Sequence, residues 1–116
     1  MPTMNEAASR AYESAAAHRS QRDQEADVFR RAIGALKTAR ESGDIMRTQA
    51  IADNRRLWAT VSDLMRDPLN VLPEDLRASI VSVSLAVQRE MQRDTPDFDF
   101  LIAINENMAA GLSGQE

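Results

Sequence analysis

Residues 73–92, PEDLRASIVSVSLAVQREMQ, decide the fold. Pro73 suits the first turn of a helix, where its missing N–H costs nothing, and Glu74 and Asp75 follow where carboxylates favour the positive end of the helix dipole. Leu76, Ile80, Val83, Val87 and Met91 then recur at spacings of three and four, which makes one apolar seam of a helix. At 100° per residue Val81 and Leu85 fall on a second patch about a third of a turn away. A helix with two apolar patches is expected at the centre of an all-helical packing.

The flanking sequence has the same period. Upstream, Asp67 precedes Pro68 and is pushed out of helical geometry, so a helix from Ile45 to Arg66 ends there. Its stripe is Ala50, Asn54, Leu57, Trp58, Val61, Leu64 and Met65. Further upstream Ser20 and Asp23 form a loose capping pair for a helix bearing Phe29, Ala32, Ile33, Leu36 and Ala39, with Gly43 as its stop in the left-handed conformation. Gly34 weakens that helix unless a close helix crossing compensates. Residues 5–18, NEAASRAYESAAAH, give a first helix whose stripe is almost wholly alanine; it buries little area and docks weakly, with Tyr12 as anchor. Downstream, Thr95, Pro96 and Asp97 open a last helix with Phe98, Leu101, Ile104, Met108 and Leu112, closed by Gly111 and a polar tail. The expectation is a small all-α bundle of about five helices in one domain over 1–116, with frayed ends near 1–5 and 113–116 and a mobile Ala-rich first helix.

Composition narrows the chemistry. The chain has 116 residues, 43% hydrophobic and 28% charged, which is globular usage, and no cysteine. Disulfides, thiolate zinc sites and cysteine nucleophiles are excluded, and the count fits a reducing interior. No apolar run approaches a membrane span and no apolar leader opens the chain, so a cytoplasmic protein without membrane insertion is expected. The net charge of −4 disfavours nucleic acid as a direct partner. Charge is uneven: residues 1–56 carry a net +2 and residues 57–116 a net −6. The one histidine, His18, sits in a polar setting expected at a helix end. No metal-ligand spacing, phosphate loop or nucleophile motif occurs, and neither enzyme activity, a cofactor nor a metal is expected.

Asn54 stands three, four and seven residues before Leu57, Trp58 and Val61, which places its amide inside an apolar stripe. Either it is bonded to a helix end or loop backbone and fixes helix register, or it lies on a groove and meets a partner. Trp58 and Arg55 are residue types enriched at binding hot spots, and Arg55 and Arg56 point to different sides of Asn54, one flanking the groove and one facing solvent.

Residues 52–91 resemble the centre of the flagellar biosynthesis regulator FlaF family. The resemblance is carried by Asn54, Arg55, Leu57, Trp58 and Leu64, by the loop residues Asp67, Pro68, Asn70, Leu72 and Pro73, and by Leu76, Arg77 and Ile80. Tyr12, Glu25, Phe29, Ile33 and Leu36 before it, and Ile104, Asn105, Asn107 and Met108 after it, extend it over nearly the whole chain. The extended N-terminus before Tyr12 and the polar tail depart from the pattern. The resemblance implies a role in flagellin synthesis or secretion in alphaproteobacteria, by chaperone-like binding of flagellin, alongside the regulator FlbT. On that basis an amphipathic flagellin helix is expected in an apolar groove, with Asn54, Arg55, Trp58, Arg77, Val81 and Leu85 as candidate partner-binding residues. The alternative is control of flagellin messenger RNA translation, direct or through FlbT; salt dependence separates the two.

Overall fold

Breakers and caps divide the chain into four α-helices among residues 3–114, which the computed structural model describes. They are α1 (Met4–Arg40), α2 (Asp44–Arg66), α3 (Glu74–Met91) and α4 (Phe98–Leu112). The fold is a small all-α bundle. The two helices expected before Gly43 are one. Between Met4 and Ile33 there is neither glycine nor proline, and the polar stretch around Ser20 and Asp23 is rich in arginine and glutamine, which continue a helix readily. The true start is a capping box: the Glu6 N–H donates to Thr3 Oγ1 (3.2 Å) and the Thr3 N–H donates to Glu6 Oε2 (3.0 Å). Residue 18 therefore lies within α1 and not at a helix end; its side chain is outside the described residues. So are residues 1, 2, 115 and 116, which hold part of the expected frayed ends.

Each remaining boundary has a physical cause. Gly43 is the N-cap of α2 with ordinary extended backbone, φ −81°, so it does not close α1 in the left-handed form. Instead Ser42 Oγ donates to the Thr38 carbonyl (2.8 Å), and Arg47 reaches back from α2 to the carbonyls of Ala39 (3.4 Å) and Arg40 (2.7 Å). Asp67 is extended ahead of Pro68, as the sequence requires. Asp97 caps α4 by accepting from the Phe100 N–H (3.1 Å). Gly111 lies inside α4, and the left-handed residue is Gly114 (φ 75°).

Packing is centred on α1 and α2, not on α3. α1 packs most extensively on α4, α3 packs on α2, and α2 also contacts α1. Trp58, fully buried, sits at the middle with its ring edge-on to Phe29 of α1, centroids 5.9 Å apart. Leu36, Val87, Met91, Leu101 and Ile102 complete the core around it. α3 buries only Ser84, Val87 and Met91; of its expected seam Ile80 and Val83 are half-buried and Leu76 is exposed, because α3 packs mainly on the one neighbour α2.

The N-terminal half of α1 leaves the bundle. Every described side chain from Thr3 to Glu25 is exposed except half-buried Ala16, and Tyr12 anchors nothing at 70% exposure. The molecule is accordingly elongated, 62 × 27 × 22 Å. Gly34 has no close crossing either: a Cβ there meets open space. Among the described residues no helix is long and apolar enough to cross a membrane.

Candidate functional site

The six expected partner-binding residues do not form one site. Asn54 and Trp58 are fully buried. The Trp58 indole N–H donates to Asn105 Oδ1 (2.9 Å), Asn105 Nδ2 donates to Asn54 Oδ1 (2.7 Å), and Asn54 Nδ2 donates to Met91 Sδ (3.3 Å). On the other side Gln88 Nε2 donates to Ser84 Oγ (2.9 Å), which donates to the Trp58 carbonyl (3.2 Å). One polar chain thus ties α2 to α3 and α4, and among the described residues no buried side-chain N or O lacks a partner. Asn54 bonds side chains within the bundle, neither a helix end nor a loop backbone. Asn54 and Trp58 are therefore inaccessible in this structure, where they tie α2 to α3 and α4.

Arg55 is exposed and donates to the Met91 carbonyl (3.2 Å), closing the C-terminus of α3. It borders a cleft of about 810 Å³ shared with Arg40, Arg47, Ile51, Phe98 and Asp99. The cleft is not a free basic surface, because its arginines are already engaged. Arg47 stands over the Phe98 ring at 6.0 Å as well as on the α1 carbonyls. Arg40 pairs with Asp99 at 2.6 Å, a hydrogen bond that raises the guanidinium above its ordinary pKa. Arg56 faces solvent and pairs with Asp53. Among the described residues no group of histidine, aspartate or glutamate could hold a metal ion.

Arg77, Val81 and Leu85 lie on α3 beyond the buried seam. Arg77 Nε donates to the Leu72 carbonyl (3.0 Å) from a half-buried position; Val81 is half-buried and Leu85 is 46% exposed. Arg77 leads to the loop from Asp67 to Pro73, whose residues the sequence reading named but whose exposed aliphatic side chains it did not place among the candidate partner-binding residues. Asp67 Oδ1 accepts from the Leu69 N–H (2.9 Å), Asn70 Oδ1 accepts from the Leu72 N–H (2.9 Å), and Asn70 Nδ2 donates to the Leu64 carbonyl (2.8 Å), closing α2. Two prolines bracket the turn. Its backbone is thus held by side chains of its own sequence, and it displays Leu69 (86% exposed) and Val71 (96%) beside Leu72. Leu64 and Leu76 are exposed at its two ends.

Turns are normally polar, whereas this hydrogen-bonded turn exposes three aliphatic side chains within four residues, Leu69, Val71 and Leu72. The signal was present in the sequence as aliphatic residues between Pro68 and Pro73; helical periodicity cannot register it because the segment is not a helix.

The match to known families agrees with the motif residues now placed. The family model for flagellar protein FlaF matches residues 8–112, which takes in the buried network, the Asp67–Pro73 turn, α1 from residue 8 onward and all of α2, α3 and α4. No curated protein and no solved structure matches the chain. The chain belongs to the FlaF family of flagellar proteins.

Proposed function

We propose that this flagellar protein is a cytoplasmic flagellin-binding factor that supports flagellin synthesis and secretion by covering an amphipathic flagellin helix. The observation that carries the reading is the apolar turn Leu69–Leu72, with Leu64 and Leu76 exposed at its two ends. A helix docks on such a surface by apolar side chains at spacings of three, four and seven, and burial of its stripe prevents premature assembly. Arg77 positions the turn; Val81 and Leu85 lie further along α3 on the helix's other patch, outside this surface. The interaction is non-covalent and needs no cofactor. Direct reading of messenger RNA finds less support, since base stacking uses several exposed aromatic rings on a basic surface: Trp58 is buried, Tyr12 is the one large exposed aromatic among the described residues, and Arg40, Arg47 and Arg55 close helix ends or ion pairs.

The test is calorimetric titration of the full chain with monomeric flagellin, full-length and truncated at either end, at low and high salt. A complex that resists salt, disappears with one truncation and is lost in Val71→Ser supports the reading. Absence of heat and of co-elution with every flagellin moves the target to FlbT or to messenger RNA.

A further inference from the structure

We infer that the segment docking on the α2–α3 turn is an amphipathic helix whose apolar stripe is flanked by lysine or arginine. The inference rests on the docking reading above and adds the chemistry of the occupant. The apolar surface from Leu64 to Leu76 is rimmed by Asp63, Asp67, Glu74 and Asp75, all exposed, and among the described residues none of the four makes an ion pair. Two arginines share this rim. Arg77 donates to the Leu72 carbonyl but keeps its charge, so with Arg66 two cations stand against four carboxylates and the rim remains net acidic. The α3 N-terminus offsets part of the charge on Glu74 and Asp75 but not that on Asp63, which lies on α2.

Such a rim selects its occupant. A second copy of this chain seated turn against turn brings two acidic rims within a Debye length of roughly 8–10 Å, where like charges repel. An acidic helix meets the same repulsion. A helix with basic flanks places its cations against unpaired carboxylates while its stripe covers Leu69 and Val71, so charge fixes which amphipathic helices are accepted and contact with the turn supplies the affinity.

The experiment uses the intact protein and two labelled synthetic helical peptides with identical leucine stripes, one flanked by lysine and one by glutamate, followed by fluorescence anisotropy. At low salt the lysine peptide is expected to bind at least about tenfold more tightly, and the ratio to shrink as salt approaches ~1 M, where the Debye length falls to about 3 Å. Asp63→Asn with Glu74→Gln and Asp75→Asn should bring the two affinities together, whereas Val71→Ser should weaken both. Equal binding of the two peptides overturns the charge inference and leaves the docking reading standing. Failure of both peptides to bind overturns both. Lysine-peptide binding that survives Leu69→Ser with Val71→Ser also overturns the inference, because the attraction then belongs to the net charge of the molecule. A dimer in sedimentation that Val71→Ser dissociates assigns the surface to a second copy and overturns it as well.

Discussion

Asn105 holds two buried groups at once, the indole N–H of Trp58 and the side-chain oxygen of Asn54. Replacing it with alanine leaves both without partners in a dry interior, and each stranded group costs about 1–3 kcal/mol. Asn105→Ala should therefore lower unfolding free energy in urea by more than a typical single substitution, and prior removal of Asn54 should shrink the effect, since the two amides share one bond. Trp58→Ala deletes the side chain around which Phe29 and Leu101 pack and should cost ~3–5 kcal/mol. The two amides differ in how well the sequence revealed them. Asn54 interrupts the stripe of a helix with Leu57, Trp58 and Val61, and a polar residue there announces burial. Asn105 carries the same role, but its bond to Asn54 joins α4 to α2, and no local period encodes a contact between helices so distant in sequence. For the same reason Asn54 and Trp58 looked like groove residues: hot-spot chemistry and core chemistry use the same side chains, and only burial separates them.

At the scale of helices, α1 has one half with tertiary contacts and one half without. Thr3 to Glu25 gain nothing from packing, so their helicity rests on the capping box and on alanine propensity, which leave an isolated helix marginal. Hydrogen exchange should show amides before Ala26 exchanging far faster than those from Phe29 to Ala39. Deleting residues 1–20 should change the unfolding midpoint in urea by little, within about 0.5 kcal/mol of stability, as for other surface changes. Gly34 tests the same helix from the other side. It is exposed, nothing lies near its absent Cβ, and its φ is helical; Gly34→Ala should stabilise the protein by about 1 kcal/mol in denaturant unfolding. Loss of stability would reveal a crossing at Gly34 after all. α2, α3 and α4 were legible almost to the residue because proline, glycine and capping aspartate bracket them. The junction expected near Ser20 failed because a polar run was read as a boundary, although polarity without a breaker only marks an exposed helix, and the real start signal, Thr3 with Glu6, lay further upstream.

The whole molecule separates what holds it together from what it displays. The helices are held together by the buried core around Trp58 and by the polar chain from Gln88 to Met91. The apolar turn is held by its own hydrogen bonds and contributes almost no buried area at Leu69 and Val71. Folding and recognition should therefore be separable by mutation. Leu69→Ser with Val71→Ser removes two exposed aliphatic side chains, and surface changes of that kind shift stability by about 0.5 kcal/mol or less, which is a few degrees at most in Tm. The double variant should melt with the parent and lose affinity for flagellin. Asn105→Ala should do the reverse: lower Tm clearly and, at temperatures where it remains folded, retain flagellin affinity, because Asn105 touches no part of the display surface. Measured side by side by thermal unfolding and calorimetry, the two variants form a crossed pair. A double variant that melts early would mean that the turn is part of the core, and an Asn105→Ala protein that is folded yet cannot bind would mean that the interior network sets the shape of the surface it was thought only to support.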